Sequence, residues 1–298
     1  MKNEIRSAAM LFLTAAIWGF AMSAQRAGSQ YLSPMTFNAA RFFFGGLVML
    51  PLMLRENRRN DSPIRKTEAA KGAVLGVVLF IAQLLQQMSV GEAGAGKSGF
   101  LTALYVVLVP VLGVFVGKKT RITTWLALLL ALPALYFLCV PKGEEFSLKA
   151  SDMGLLAGAV FWALHILLTD EFVKTVSPLK LCTIQFTVGF MMNLIGAAIY
   201  EKITVENLAH AFIPVLYCGV MSTGVGYLFQ TIGQKGIRPA FAALILSLES
   251  VFCVISGALL LGERMDARGY IGCALMLLAV ILAQAGAFFI PAKEESNV

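Results

Sequence analysis

Ten long apolar stretches decide what this chain can fold into. A helix that crosses a bilayer needs about 20 predominantly apolar residues. The sequence contains ten such stretches, approximately residues 8–25, 35–54, 71–90, 97–116, 123–140, 152–169, 180–200, 211–231, 239–261 and 268–290. Their apolar runs are continuous and do not alternate, which favours helices over the strands of a membrane barrel. The sequence therefore predicts an all-α integral membrane protein with ten transmembrane helices.

The composition agrees with lipid as the main solvent. Of the 298 residues, 58% are apolar or aromatic and 14% are charged, whereas an average soluble domain has about 25% charged residues. This excludes a soluble enzyme, a disordered chain and a nucleic-acid-binding domain. Ten spans also leave no room for a soluble domain between them.

An internal repeat divides the chain into halves of five spans. Trp18 matches Trp162, Ser33-Pro34 matches Ser177-Pro178, and Gln86 matches Gln230, each 144 residues later. Five is an odd number, so the second half must enter the membrane from the opposite side, as in the inverted repeats of secondary transporters. We assign the first repeat to residues 1–145 and the second to residues 146–298.

The first apolar stretch follows Lys2 and Arg6, as the apolar region of a signal peptide would. Because this stretch is half of a repeat, we expect it to remain in the mature protein.

The positive charges indicate the orientation. With the N-terminus in the cytoplasm, the cytoplasmic segments hold 16 of the 24 Lys and Arg residues and the external loops hold 7. Cytoplasmic loops carry the excess of Lys and Arg in membrane proteins. The sequence thus predicts a multi-pass protein of a prokaryotic inner or plasma membrane, with both termini in the cytoplasm.

Polar stripes run along the third and eighth spans. Gln83, Gln86 and Gln87 lie at positions i, i+3 and i+4, on one helical face. Their repeat counterparts are Tyr227, Gln230 and Thr231. Because polar groups at bilayer depth are costly, such stripes line a path or form hydrogen bonds between helices. We favour the lining of a shared central path.

Two charged residues lie within spans. Glu249 lies near the middle of the ninth span and is the repeat counterpart of Tyr105. Three roles are open for it: coupling to protons, contact with a substrate amine, or a structural bond to a backbone or hydroxyl group. Arg41 lies about two turns inside the second span, where it attracts an anionic group or braces neighbouring carbonyls. We treat Glu249 and Arg41 as candidates for coupling or gating.

Aromatic residues and a histidine complete the candidate set. Trp18 and Trp162 are not at the membrane interface, so they pack in the bundle or line the path. His165 is three residues after Trp162 and shares its helical face. Histidine binds or relays protons near neutral pH, although a buried histidine often only packs.

One motif argues for a different function. Residues 91–98 read GEAGAGKS and match the phosphate-binding loop GxxxxGK[ST]. That loop requires a buried strand before it and a soluble helix after it. Here it joins two membrane spans, and we predict a tight turn between closely packed helices instead.

Other enzyme signals are missing from the sequence. His165 and His210 are the only histidines, so the zinc motif HExxH is impossible, and no pair of aspartates lies within the spans. The five cysteines (Cys139, Cys182, Cys218, Cys253 and Cys273) lack metal-site spacing and lie in apolar stretches. We expect apolar packing of these cysteines, no disulfide framework, no metal and no cofactor.

Three features resemble a known family. Arg41, the segment GKSGFLTALYVVLVPVLGVFVGKK (96–119) and the segment RPAFAALILSLESVFCVISGALLLGER (238–264) are similar to the EamA-type drug/metabolite transporters. The family commonly has proline after the glutamate of the ninth span, where this chain has Ser250. The resemblance covers essentially the whole chain and implies a ten-helix inverted-repeat carrier that moves small metabolites, often outward, by alternating access.

The sequence is therefore interpreted as a secondary transporter of a small amphipathic solute, such as an amino acid. Its expected partners are that solute and membrane lipid, with no nucleic acid, in a monomer or homodimer. The alternatives are an intramembrane enzyme and a non-transporting sensor. The residues expected to bind substrate are Trp18, Gln83, Gln86, Gln87, Tyr105, Trp162, His165, Tyr227, Gln230 and Glu249.

Overall fold

The computed structural model describes residues 2–93, 95–140, 150–261 and 266–289, and regular structure within them is helical. Eight helices are long and apolar enough to cross a membrane, and two shorter apolar helices, Ile122–Leu138 and Ala267–Ala283, complete the set. These ten helices correspond to the ten apolar stretches, which confirms the predicted fold class.

We number the spans 1 to 10 in chain order. Their bounds are Lys2–Gly28 (span 1), Pro34–Asn60 (span 2), Lys66–Ala93 (span 3), Ala95–Ala103 with Tyr105–Phe115 (span 4), Ile122–Cys139 (span 5), Ala150–Phe172 (span 6), Pro178–Tyr200 (span 7), Phe212–Leu216 with Tyr217–Gly226 and Tyr227–Gln234 (span 8), Pro239–Leu246 with Glu249–Leu261 (span 9), and Ala267–Phe289 (span 10). A short helix, Val205–His210, precedes span 8.

The helix starts follow local chemistry that the repeat duplicates. Ser33-Pro34 begins span 2 and Ser177-Pro178 begins span 7, each with proline in the first helical turn. Proline suits this position because its missing N–H would have no helical partner. Ser177 also accepts a hydrogen bond from the backbone N–H of Lys180, so the same two residues start the corresponding span in each half.

Three spans depart from a regular α-helix. Span 4 is interrupted at Leu104, and span 9 is interrupted at Ser247 and Leu248, of which Leu248 is the repeat counterpart of Leu104. The backbone N–H of Ser250 donates to the carbonyl of Ser247 at 3.2 Å, a bond that proline at position 250 would not make. In span 8, Tyr217–Gly226 form a π-helix.

The packing of the spans follows the repeat. Span 1 packs against spans 8 and 9, and its counterpart, span 6, packs against spans 3 and 4. Spans 2 and 7, 4 and 9, and 5 and 10 pack against their own counterparts. Helices related by a two-fold axis touch each other only where they flank that axis, so the pseudo-two-fold axis passes between these pairs.

The bundle is apolar on the outside. Leu129, Ile195, Leu259 and Ile281 each expose 60–71% of their surface at its periphery, as expected for side chains that face lipid. We call the end at which span 1 begins the N-terminal face, and the other end the opposite face.

Candidate functional site

Four contacts between repeat counterparts mark the centre of the bundle. In each of them a residue touches the residue 144 positions later. The pairs are Trp18 and Trp162, with ring centroids 6.0 Å apart; Phe42 and Phe186, at 6.2 Å; Gln83 and Tyr227, hydrogen-bonded at 2.7 Å; and Tyr105 and Glu249, hydrogen-bonded at 3.3 Å. Residues related by a two-fold axis can touch only close to that axis. These pairs, one from each of the first four span pairs, therefore trace the pseudo-two-fold axis.

A cavity of about 20 Å³ surrounds this axis. A cavity of this size holds about one water molecule, so the centre of the bundle is nearly closed in this structure. The wall comes from both repeats and consists of Trp18, Ala21, Met22, Gln25, Arg41, Gln83, Gln86, Thr102, Tyr105, Trp162, Ser222, Tyr227 and Glu249. The structure thus brings together Arg41 and seven of the ten residues for which the sequence predicted substrate binding.

Three aromatic rings form one side of this central cavity. The ring centroids of Trp18 and Tyr227 are 4.9 Å apart. The rings of Trp162 and Tyr227 are nearly parallel, with an interplanar angle of 15° and centroids 6.3 Å apart. The Nε1 atom of Trp18 donates to the carbonyl of Ser222 at 3.2 Å, which fixes that ring. Such rings offer flat apolar surfaces to a solute.

Arg41 is buried in the wall with neutral partners only. Its side chain donates to four side-chain oxygens, of Thr223 (3.1 Å), Gln25 (3.3 Å), Gln83 (2.8 Å) and Ser222 (3.0 Å). No carboxylate in the described part of the chain forms an ion pair with Arg41. A guanidinium has five N–H donors, so one N–H on Nη2 remains for another acceptor. Arg41 thus holds four neighbouring side chains in place, and no acidic side chain of the described residues pairs with its charge.

The π-helix of span 8 explains how two consecutive residues reach Arg41. Ser222 and Thr223 both accept from its guanidinium. A π-helix has a wider turn than an α-helix, so consecutive side chains differ less in direction, and such segments frequently occur at functional sites. Close packing of spans 2 and 8 assists, since a Cβ on Gly45 would lie 2.5 Å from Cγ2 of Thr223.

Glu249 belongs to a different part of the wall, because span 9 packs against spans 1 and 4. Its Oε1 accepts a hydrogen bond from the Tyr105 hydroxyl, and the side chain is partly exposed. No cation among the described residues forms an ion pair with Glu249. The cavity wall therefore contains one acidic side chain, Glu249, and one cationic side chain, Arg41, on different spans. Neither forms an ion pair with another described residue.

A second cavity, of about 280 Å³, lies at the opposite face. Its wall includes Ser29, Leu32 and Gln87, and Ser29 and Gln87 lie just beyond the central-cavity residues Gln25 and Gln86 along spans 1 and 3. Met22 belongs to the wall of the central cavity, and its sulfur accepts from Gln25 Nε2 at 3.6 Å and from Gln86 Nε2 at 3.8 Å. Gln87 thus lines the outer cavity, not the central one.

The structure places His165 and Gln230 outside both cavities. His165 is fully buried, and its Nε2 lies 2.9 Å from Oε1 of Gln185. Gln230 is also fully buried, and neither atom of its side-chain amide has a hydrogen-bond partner among the described residues. Both residues lie in the half of the bundle next to the N-terminal face.

Sequence reasoning missed Gln25, Ser222 and Thr102 as wall residues. Gln25 lies at the end of the first apolar stretch, where its position suggests a loop residue. The structure instead buries its amide at membrane depth, where a polar group is costly unless it faces protein or a cavity. Ser222 is directed to the site by the π-helix, which no residue pattern in the sequence predicted.

The phosphate-loop motif has a different structural setting from that of a nucleotide site. Span 3, a helix and not a strand, ends at Ala93, and the next helix begins at Ala95. The tight turn predicted at this point falls on Gly94, which lies outside the described residues. Within the described parts of the chain, no group of three or more His, Cys, Asp or Glu side chains could hold a metal, and Cys182, Cys218, Cys253 and Cys273 are not joined in disulfide bonds. The side chain of Cys139 is outside the described part.

Comparison with known proteins gives a consistent identification. The model of the EamA-like transporter family matches residues 5–140 and again residues 149–284. An uncharacterized transporter of Archaeoglobus fulgidus is 27% identical, over 91% of this chain and 83% of its own. An uncharacterized inner membrane transporter of Escherichia coli, YedA, is 22% identical over 95% and 92%. An uncharacterized Bacillus subtilis transporter, YwfM, is 25% identical over 96% and 95%.

The fold has a counterpart of known structure. A protein solved by crystallography superimposes with a TM-score of 0.79, at 16% sequence identity, over 95% of this chain and 98% of the other. At this identity the likeness concerns the fold.

Proposed function

The chain belongs to the EamA-like transporter family, and we propose that it is a secondary transporter that exports a small zwitterionic solute, such as an amino acid, by alternating access. The single observation that carries the choice of solute is the central cavity, where the unpaired Arg41 and the unpaired Glu249 lie on different walls around three aromatic rings.

Arg41 is assigned to the anionic group of the solute. Its free N–H on Nη2 is a donor for a carboxylate, and hydrogen bonds between ionised groups are stronger than neutral ones. The four neutral partners of Arg41 hold the guanidinium in place without cancelling its charge. A buried charge with neutral partners favours an anion that arrives with the solute.

Glu249 is assigned to the ammonium group and to coupling. Its carboxylate can accept a hydrogen bond from an amine or bind a proton, but not both at once. Competition between solute and proton for one carboxylate would couple export of the solute to proton entry. The side chain of the solute would then lie against Trp18, Trp162 and Tyr227, whose faces are apolar.

The orientation is part of the proposal. The excess of Lys and Arg at the N-terminal face, 16 against 7, supports a cytoplasmic N-terminal face. The second cavity would then open to the exterior. Residues 1–145 and 146–298 would be the two repeats that rock against each other.

A matched panel of solutes tests the assignment. L-leucine, 3-methylbutylamine and 4-methylpentanoate offer similar apolar groups with both charges, the positive charge alone and the negative charge alone. In a thermal-shift assay of purified protein, we expect leucine to stabilise most. Equal stabilisation by all three compounds, or by none of a wider amino-acid panel, would contradict the zwitterion assignment.

Variants separate the two charges. Arg41→Gln should weaken binding of leucine by about 10- to 100-fold, the range of a lost hydrogen bond to a charged group, while binding of the amine is retained. Glu249→Gln should show the reverse selectivity. Arg59→Gln is the control, since Arg59 is an exposed residue at the far end of span 2.

Flux separates transport from the alternatives. Protein in liposomes should release a preloaded solute that the thermal-shift panel identifies. Binding without flux would favour a sensor, and chemical conversion of the solute without flux would favour an intramembrane enzyme.

A further inference from the structure

A row of hydroxyl groups on span 4 leads to Glu249. Ser98, Thr102 and Tyr105 lie at positions i, i+4 and i+7, so they share one helical face. Ser98 lies in the first turn of the span, next to the opposite face. Tyr105 lies at the bundle centre, where its hydroxyl donates to Glu249 at 3.3 Å. This hydroxyl row therefore extends from the opposite face to the carboxylate.

The two outer hydroxyls of the row have no hydrogen-bond partner among the described residues. Ser98 is fully buried and Thr102 is 4% exposed. A hydroxyl within a helix can instead donate to the carbonyl four residues earlier, as Thr14, Thr183 and Thr231 do here. Unpartnered polar atoms also occur elsewhere in the described bundle, so what distinguishes these two hydroxyls is their alignment with Glu249.

The inner end of the row borders space for a water molecule. Thr102, Tyr105 and Glu249 all line the central cavity, whose volume suits about one water molecule with polar partners. Side chains four residues apart on a helix have Cβ atoms about 5–6 Å apart, and an O–H···O bond spans about 2.8 Å. One bridging water between successive hydroxyls therefore completes a continuous hydrogen-bonded row.

The repeat shows that the row points in one direction only. The counterparts of Ser98 and Thr102 are Ala242 and Leu246, which are fully buried in span 9. Span 9 begins at the N-terminal face, so these two residues lie between that face and Glu249. Alanine and leucine side chains have no group that accepts or donates a proton. The hydroxyl row thus connects Glu249 to the opposite face, and the equivalent positions of span 9 form no such connection to the N-terminal face.

We propose that Ser98 and Thr102 relay protons from the opposite face to Glu249, by a route that is too narrow for the solute. Each hydroxyl accepts a hydrogen bond on its outer side and donates one on its inner side. O–H bonds break and form along the row, so that one proton leaves the water at the opposite face and one arrives on the carboxylate, which becomes neutral. This inference rests on the proposed function, in which Glu249 couples export to proton entry.

The charges around Glu249 are few. The other titratable or charged side chains in the cavity wall are Arg41 of span 2, Tyr105 of span 4 and Tyr227 of span 8. Spans 1 and 6, which also pack against span 9, contribute only non-titratable side chains to the wall, and spans 5 and 10 contribute none. Removal of the two outer hydroxyls leaves this set of charges unchanged. A slower protonation of Glu249 in such variants would therefore reflect the supply of protons.

Infrared spectroscopy tests the relay without any solute. Protons are released by light in a sample of the purified protein, and the carbonyl band of protonated Glu249, identified by its loss in Glu249→Gln, is followed in time. Thr102→Val keeps the shape of the side chain and removes the hydroxyl, whereas Thr102→Ser retains it. The matched control is Thr169→Val, because Thr169 is 1% exposed and its hydroxyl also lacks a partner among the described residues, but it lies outside the cavity wall.

We expect Thr102→Val to slow protonation of Glu249 by about tenfold or more, since a positioned proton-transfer group typically contributes at least about 100-fold and water replaces it in part. Thr102→Ser and Thr169→Val should keep the rate of the parent protein. Equal rates in Thr102→Val and Thr169→Val would overturn the inference. Ser98→Ala covers the case in which Thr102→Val does not fold, and an unchanged rate in that variant would overturn the inference as well.

Flux measurements separate this inference from the proposed function. In liposomes, Thr102→Val should exchange labelled L-leucine for L-leucine at equal pH as the parent protein does, but should respond less to a pH gradient that is acidic at the opposite face. An undiminished response to the gradient would contradict the relay and leave transport standing. Slowed protonation in a protein that moves no amino acid would support the relay and overturn the transport function.

Discussion

The side-chain amide of Gln83 donates a 2.7 Å hydrogen bond to the hydroxyl of Tyr227, the residue at the same position in the second repeat. The oxygen of the same amide accepts from Arg41 at 2.8 Å. Gln83 therefore links the pseudo-two-fold axis to Arg41, the buried arginine of the cavity wall. Because the amide of Gln83 is neutral, it does not compensate the positive charge of Arg41.

The first prediction concerns a negative charge introduced at Gln83. Gln83→Glu places a carboxylate at the same distance from Arg41 and forms an internal ion pair. We expect Tm to rise, because a buried charge gains a partner, and affinity for carboxylate solutes to fall by at least about tenfold. Titration of the purified protein with the solutes of the matched panel measures this. Unchanged affinity would mean that Arg41 does not bind the solute.

The second prediction concerns coupling through Glu249. In liposomes with an imposed pH gradient, Glu249→Gln should still exchange solute for solute but should no longer respond to the gradient. The reason is that glutamine cannot bind and release the proton. Tyr105→Phe removes the hydrogen bond to Glu249 and keeps the carboxylate, so a pH response should persist there. A normal response in the Glu249→Gln protein would remove the coupling role.

The third prediction uses two adjacent glycines of span 2. A Cβ on Gly45 would lie 2.5 Å from Thr223 Cγ2, whereas a Cβ on Gly46 would meet no atom within 4 Å. Gly45→Ala should lower stability by about 1–3 kcal/mol through overpacking. It should also weaken solute binding, because Thr223 holds Arg41. Gly46→Ala should be neutral or stabilise by up to about 1 kcal/mol. Thermal unfolding in detergent compares the two, and equal effects would exclude close packing of spans 2 and 8.

The fourth prediction concerns pH and the ion pair at the N-terminal face. Partial burial of Lys118 alone would lower its pKa, but the interactions with Asp170 and Glu171 together outweigh burial, and the pKa of Lys118 is raised. A raised lysine pKa adds stability below the unfolded value of about 10.4, and this stability is lost only as pH rises through the folded value.

Asp170→Asn should therefore lower Tm equally at pH 6 and pH 9, by an amount that corresponds to about 1 kcal/mol or less for a partly exposed pair. The difference from the parent protein should shrink only in strongly alkaline solution. A difference that disappears between pH 6 and pH 9 would show that another group is responsible.

Several features of the site could be predicted from the sequence, because matching residues recur in it at a fixed offset. The offset of 144 residues pairs Gln83 with Tyr227 and Tyr105 with Glu249 from the sequence alone, and both pairs are in contact in the structure. A two-fold relation converts equivalence along the chain into proximity near the axis. The prediction failed to separate residues that share a stripe, since Gln86 borders the central cavity and its counterpart Gln230 is packed.

The sequence by itself determined the spans, the repeat and the intramembrane polar residues. These follow from the cost of exposing polar groups to lipid, which acts on each helix separately and leaves a local pattern. The tertiary structure alone decided that Ser222 and Thr223 hold Arg41, and that Thr169 and Gln230 are packed while Gln25 and Gln86 border open space. Those outcomes depend on contacts between spans distant in sequence and on which of two packing arrangements the repeats adopt.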